Sequence, residues 1–533
     1  MRDPEQARTW RVRLIGAAPT GVRERAAEAY LRRPGTPGPA AEHVLQHLVG
    51  AWTPSAPGKR SKIEVIAQGA DDFYARNYRQ QLNPTMGSFA ATATHALLGT
   101  GTRAQGSPLR RRRTARAAVV GGRAGIAPIL VLDERSVAIA VPVPSALVEA
   151  CGASFGRWLA GTGPLPPALG REIGGRPVET RTKRTVGVAR SSVGSALEVV
   201  DAALATGRLA VLALHPTDPD AMGLHITLYG VVGRDAAGLA AEHGLGPEVL
   251  GDAVDAAARD GDTLLFLAGG TEEVFTQCSQ NLFVKRPAGA DAPAPAAAAW
   301  SPADPLADLV GAQFEMLQVT VSSTGLPGGS PRNGDVGSVA YLVERDGRDV
   351  LLVPYHPGNF IHGHAAKLWS NPDGAMVIRD DHRHLRTVIL HGPSRVLDPG
   401  TAARRHGAIV DAEVARTASA PGDRRPAYWF EQEVARIVVE TDPVPPMVLD
   451  PGRATCTISA AGQGRHGKKP TYFDAASLDA YDMTLQHHRE AEGRPTDPTG
   501  AAHRGWVTAS AAQLETRHAH LRAVADGWGD AQR

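Results

Sequence analysis

Twice along this 533-residue chain the same order of elements returns: short β-rich runs, a helix, a strand, a polar turn and a strand that ends in glycine. A supersecondary unit that recurs in order implies a recurring domain. The first pass begins near residue 85. ATATHALLGTG, ARAAVVGG, APILVLDE and SVAIAVPVP are β-rich runs separated by turn residues. SSVGSALEVVDAALATG reads as an amphipathic helix: Val193, Ala196, Leu197, Val200, Ala203 and Leu204 share one face, and Gly207 stands at its stop. RLAVLALHP, LHITLYGVVGR and DTLLFLAGG are strand-like, with a helix over GPEVLGDAVDAAARDG between the last two. The second pass lies about 170 residues on. FEMLQVTVS, SVAYLVERDG and DVLLVPYHPGN are strand-like, and Asp346-Gly347 is a hairpin turn. HGHAAKLWSNPDG is a short helix closed by Asn371-Pro372, AMVIRDDHRHLRTVILHGPSRVLD a hairpin, and ARIVVETDP a late strand.

Between the passes, residues 287–304 (PAGADAPAPAAAAWSPAD) are Pro/Ala-rich and read as a linker. The expected organisation is an extension of unassigned fold over 1–80, a first domain over 81–286, the linker, a second domain over 305–456 and a helical appendage over 457–533. Apolar content of 43% and charged content of 21% suit a soluble globular protein. The net charge of +2 supplies no field that would draw nucleic acid or a membrane surface. No stretch carries 18 uninterrupted apolar residues and the N-terminus lacks a signal-like apolar run, so a cytoplasmic location is expected. Cys151, Cys278 and Cys456 are far apart and odd in number, which argues against a disulfide framework and a Cys-based zinc site.

Three stretches, in order, carry a family pattern. In ARAAVVGGRAGIAPILVLDERSVAIAVP (115–142) two strands flank a small-residue turn and close on Asp133-Glu134-Arg135. EEVFTQCSQNLFVKR (272–286) keeps Phe275, Cys278 and Arg286. VPYHPGNFIHGHAAKLWSNPDGAMVI (353–378) keeps Pro357, Gly358, Asn359, Leu368, Asn371 and Pro372. Together they resemble the pyridoxamine-5'-phosphate-oxidase family of split-β-barrel flavoproteins, and within it a bacterial subgroup with two barrels per chain. The resemblance covers roughly residues 85–455. It implies an α+β, mainly β fold of two tandem split barrels with flanking helical segments. It also implies bound FMN between paired barrels and an oxidoreductase acting on a small organic substrate. A non-catalytic split barrel holding haem or a deazaflavin is the alternative. Pairing could be internal, as a pseudo-dimer, or across a homodimer. The chain departs from the pattern at Ser279, Gln280 and Asn281, where the subgroup has Pro, Lys and Tyr, and at Ser323-Thr324, where it has a basic pair.

A flavin site needs cationic or hydroxyl donors for its phosphate and polar groups at the ring edge. The turn from Tyr355 through Pro357 and Gly358 to Asn359 offers a tight backbone path and an amide that both donates and accepts. His362, His364 and Lys367 follow it; His364 and Lys367 are three apart and share a helical face. By the resemblance, Lys367 matches a basic residue near the phosphate. A solvated basic turn is the competing reading. In the first half, Arg116 and Arg123 flank a hairpin, and Arg190, Ser191 and Ser192 precede a helix, where hydroxyls can serve a phosphate or simply cap the helix. The run Arg110–Arg113 reads as an exposed loop, or as a patch for phosphate or an acidic substrate. Cys278 has no nearby His or Asp and reads as structural. The pairs His362/His364 and His382/His384 lack a completing carboxylate or thiol, so no metal site is assigned. His225-Ile226-Thr227 resembles half of a 2H-phosphoesterase signature, but His215-Pro216-Thr217 lies too close to be the other half. No catalytic residue is assigned.

Overall fold

In this computed structural model the described residues run from 82 to 449, apart from 83, 106–111, 122–126, 134, 175, 180–184, 189–192, 216–222, 278–284, 288–305, 324, 335–336, 357–362, 381–385, 419–424, 427 and 442–446. Two large antiparallel sheets dominate, and with ten helices among the described residues the class is α+β, mainly β.

The first half opens on α1 (Pro84–Thr92), β1 (His95–Gly101), β2 (Ala115–Gly121), β3 (Ile129–Asp133) and β4 (Ser136–Pro144). Three short helices follow, α2 (Ser145–Cys151), α3 (Ala153–Leu159) and α4 (Pro167–Gly174), then a small hairpin of β5 (Arg176–Glu179) and β6 (Thr185–Val188). α5 (Gly194–Thr206), β7 (Arg208–Leu214), β8 (Gly223–Arg234), α6 (Ala236–His243), α7 (Pro247–Arg259) and β9 (Asp262–Gln277) complete it. The second half contains β10 (Lys285–Pro287), α8 (Leu306–Gly311), β11 (Glu315–Val321), β12 (Pro327–Asn333), β13 (Tyr341–Arg345), β14 (Arg348–Tyr355), α9 (Gly363–Ser370), β15 (Asp373–Asp380), β16 (Arg386–Leu397), α10 (Pro399–Ala418), β17 (Tyr428–Glu433), β18 (Arg436–Thr441) and β19 (Met447–Leu449).

The seven-stranded sheet runs β2-β1-β7-β8-β9-β4-β3 and the other runs β12-β11-β15-β16-β17-β14-β13, with β18 also on β16. Strand for strand the two orders are the same. The 16-residue β9 does alone what β17 and β18 do together across the break at Val434-Ala435. Neither path closes on itself.

Local chemistry explains the anticipated elements. α5 carries Val193, Ala196, Leu197, Val200 and Ala203 into the first core and stops at Gly207, whose φ of 67° suits glycine. Val193 occupies its N-cap and makes no side-chain capping bond. The β13–β14 hairpin turns on Asp346 and Gly347, with φ of 52° and 70°. α9 and the β15–β16 hairpin also form where the pattern predicts them. β12 (PGGSPRN), α2 to α4, α10 and the β5–β6 hairpin were not anticipated.

The halves meet face to face. Leu97, Val119 and Leu212 of the first sheet pack with Val319, Val377, Ile389 and Val438 of the second in one buried apolar layer. Each fully buried aliphatic there is worth roughly 1.5–3 kcal/mol, so apolar burial is the main cohesive force of this seam. The approach is close enough to require glycine: a Cβ at Gly99 or Gly101 would stand 2.7 Å from a methyl of Val319 or Val321. Asn371 pins the seam's edge. Its amide donates to the carbonyls of Arg113 (3.0 Å) and Val321 (3.1 Å), and its oxygen accepts the Arg113 N–H (2.9 Å).

Candidate functional site

The seam has two polar corners built from equivalent elements. At the first, β8 and β9 face β11, β12 and α9. Alternation along β8 puts His225 and Thr227 on the same face, and β9 sets Glu273 directly across from Thr227. The Gly329 carbonyl accepts from His225 Nδ1 (3.2 Å), which leaves Nε2 to accept from the Thr227 hydroxyl (2.9 Å). Thr227 Oγ1 lies 3.4 Å from Glu273 Oε2, while Glu273 Oε1 is buried without a hydrogen bond. The Phe275 ring packs on the His225 imidazole at 4.5 Å.

From the other half, α9 presents His364 and Lys367, both buried. His364 Nδ1 is hydrogen-bonded to Thr320 Oγ1 at 2.9 Å. Arg332 on β12 lies below the Tyr355 and Phe430 rings, 5.2 and 5.1 Å from their centroids, and donates to Gln318 Oε1 (2.9 Å). It keeps some accessible surface, and no carboxylate among the described residues pairs with it. Burial, the Lys367 charge and, against them, the Gly329 bond bring His225 down to about 3. Burial, then Arg332 and Lys367, depress His364. Both imidazoles are therefore neutral at physiological pH. Burial pushes Glu273 up, opposed by Lys367, Thr227 and Arg208. Among the described residues, Arg332 and Lys367 thus face a carboxylate, Glu273, whose ionisation burial suppresses.

The second corner places β2 and α5 against β16 and β18. Lys367 and Glu198 are each four residues past the first residue of their helix, so α9 and α5 present opposite charges at matched positions. The strand partners reverse as well: β9 offers Glu273, whereas β18 offers Arg436, across from His391. Arg116 Nε contacts Glu198 Oε1 at 2.6 Å, and Arg436 Nη1 donates to both Glu198 oxygens at 2.8 and 3.1 Å. His391 Nδ1 donates to the Ala115 carbonyl (3.2 Å). The Ser195 N–H at the start of α5 donates to Glu440 Oε1 (2.6 Å), and burial raises that carboxyl to about 7. Asp373 accepts the Ala115 N–H (2.7 Å), and burial raises it to about 6.

The anticipated residues therefore divide. His364 and Lys367 come together at the first corner. Tyr355 is buried in the second core, stacked on Tyr428 at 4.2 Å, and reaches this corner through its contact with Arg332. Arg116 belongs to the second corner. Pro357, Gly358, Asn359, His362, Arg123, Arg190, Ser191, Ser192, Cys278, Ser279 to Asn281, His382 and His384 lie outside the described residues, as do 1–80, 288–304 and 457–533. Sequence reading missed Arg332, Thr320 and Glu273, and it set His225 and Thr227 aside. The His-x-Thr spacing on a strand was the available signal for the last two. Among the described residues no three His, Cys, Asp or Glu side chains are grouped to hold a metal ion, and no helix is long and apolar enough to cross a membrane.

No family model and no curated protein matches the chain. Among solved structures it is similar to HupZ of Group A Streptococcus, at 18% identity over 25% of this chain and 87% of that one, with a TM-score of 0.18. It is also similar to HutZ, the heme storage protein of Vibrio cholerae, at 14% identity over 24% and 86%, with a TM-score of 0.15. A pyridoxamine 5'-phosphate oxidase-related, FMN binding protein of Nostoc punctiforme matches at 10% identity over 23% and 72%, with a TM-score of 0.17. Each match spans about a quarter of this chain.

Proposed function

We propose that the two halves are split barrels paired as an internal pseudo-dimer, and that the first corner binds FMN for an oxidoreductase acting on a small organic substrate. Two buried cations carry this reading: Arg332, with no carboxylate partner among the described residues, and Lys367 are held in a largely buried seam, with Glu273 facing them. Buried charge is costly unless compensated, and a phosphate supplies the missing negative charge. The residues fit that group. Arg332, Lys367 and His364 would hold the phosphate, and Gly328 leaves the lysine unobstructed, since a Cβ there would stand 3.2 Å from Lys367 Nζ.

When bound, the flavin supplies hydride and single-electron transfer. The chain supplies position and protons. His225, neutral and fixed in tautomer by Gly329, orients the Thr227 hydroxyl. Glu273 retains a proton further up the pH scale than a solvated carboxyl and is the proton reservoir nearest Lys367. At this corner a haem reading would draw on His364 rather than His225, whose two ring nitrogens already hold hydrogen bonds.

Absorption spectra of the purified chain, with and without added FMN, test the proposal. Flavin bands are expected, and the Arg332→Gln/Lys367→Gln double variant should lose them while keeping a cooperative thermal transition. A chain that stays colourless after FMN addition, or a folded double variant with undiminished flavin, would overturn it.

A further inference from the structure

A second cation-rich concavity lies away from the first corner and shares none of its residues. It has a volume of about 610 Å³. Arg345 and Arg348 reach it from the β13–β14 hairpin, Arg395 from β16 and Arg405 from α10. Arg112 arrives from the first half, because the Asn371 bonds to the neighbouring Arg113 backbone hold that segment against the second sheet.

Glu431 of β17 forms the floor. It is buried, yet it meets the Arg405 guanidinium at 2.9 Å, His406 Nε2 at 2.6 Å and Arg345 Nη1 at 3.6 Å, and it also pairs with Arg395. Burial alone would raise this carboxyl, but His406, Arg405 and Arg395 outweigh it and hold it below its ordinary range. Glu433 is taken by Arg348 at 2.7 Å, and the exposed Asp346 pairs with Arg345 Nε at 3.5 Å. Among the described residues five guanidiniums thus face three carboxylates, a surplus of two positive charges. Arg345 Nη1 is ion-paired with Glu431 at 3.6 Å, beyond hydrogen-bond reach, and is buried without a hydrogen bond. An unsatisfied buried donor is costly, and an oxyanion would satisfy it.

We infer that this concavity binds a compact, multiply charged phosphate of the pyrophosphate or bisphosphate class. Guanidinium forks match phosphate oxygens in pairs. Among the described residues the lining includes no aromatic ring and so no stacking platform for a nucleobase, and the ligand is recognised by charge. Arg348 and Arg112 are exposed arms that leave Glu431 untouched, so they can be altered without baring the buried carboxylate.

Titration calorimetry of the full chain with inorganic pyrophosphate, at low and at raised salt, tests this. One site is expected, weakening with salt. The Arg112→Gln/Arg348→Gln variant should bind about tenfold or more weakly, a loss of about 1.4 kcal/mol or more, with unchanged melting temperature and flavin content. Lys367→Gln should bind pyrophosphate as the parent does. No binding by the parent at millimolar pyrophosphate, or undiminished binding by the double variant, would overturn the inference. So would loss of binding in Lys367→Gln, which would move the anion to the first corner.

Discussion

The two corners of the seam share a backbone plan and differ in how charge is settled. At the second corner, Glu198 on α5 is clamped by Arg116 and Arg436, so two arginines and one carboxylate complete their own network. At the first, Lys367 stands where Glu198 does, Glu273 where Arg436 does, and Gly328 where β2 carries Arg116. Removing that third side chain leaves space beside the lysine, and Arg332 adds a charge with no carboxylate partner among the described residues. One plan thus yields a corner whose two arginines are ion-paired to one carboxylate and a corner whose facing carboxylate is held by burial toward its neutral form. Strand order alone does not distinguish them; two reversed charges and one missing side chain do.

The comparison can be broken most severely at the seam both corners share. Gly99→Val would drive methyls into Val319, where even a Cβ stands 2.7 Å away. Overpacking of that kind should lower stability by about 3 kcal/mol, read by chemical denaturation, with both corners disturbed together. A stability unchanged from the parent would show that the sheets do not approach this closely.

Next comes pH. Burial raises Glu440 to about 7, although the Ser195 bonds pull it down; Glu198 adds to the rise. A carboxyl raised on folding contributes stability that is full below its unfolded value, near 4.5, and lost as pH climbs through about 7. The parent should therefore lose on the order of 2–3 kcal/mol between pH 5 and 8 relative to Glu440→Gln. Parallel melting curves of the two proteins across that range would rule the effect out.

Glu198→Gln sharpens the contrast between corners. It should leave Arg116 and Arg436 without a counter-charge and cost about 1–2 kcal/mol, discounted because both arginines are partly exposed. Flavin content should not change, in contrast to Lys367→Gln, and equal flavin loss in the two variants would erase the distinction. The smallest effect is expected from Thr320→Val. It frees His364 Nδ1 from its 2.9 Å bond and should cost about 1 kcal/mol, with a modest weakening of FMN binding measurable by fluorescence titration.

Much of the fold is legible in the residues themselves. The β-rich runs of β1, β2, β7 and β8, the apolar stripe of α5 ending at Gly207 and the Asp346-Gly347 turn act over a few residues, where backbone propensity and hydrophobic patterning suffice. β12 is the instructive failure. Its PGGSPRN sequence has poor strand propensity, yet it pairs along its whole length with β11, because Gly329 lies close against Leu97 of the opposing sheet. A long-range packing demand overrides the local signal, and Arg332 was lost with it.

By itself, the sequence determined the recurring order of strands and helices and the position of His364 and Lys367 on one helical face, because both follow from interactions between near neighbours. Only the tertiary structure decided what those residues meet. Glu273 and Lys367 are 94 positions apart and come together because two sheets press face to face. The same packing ion-pairs the second corner and, at the first, buries Glu273 against its own ionisation, since burial turns the sign of each side chain into an energetic demand that no local pattern records.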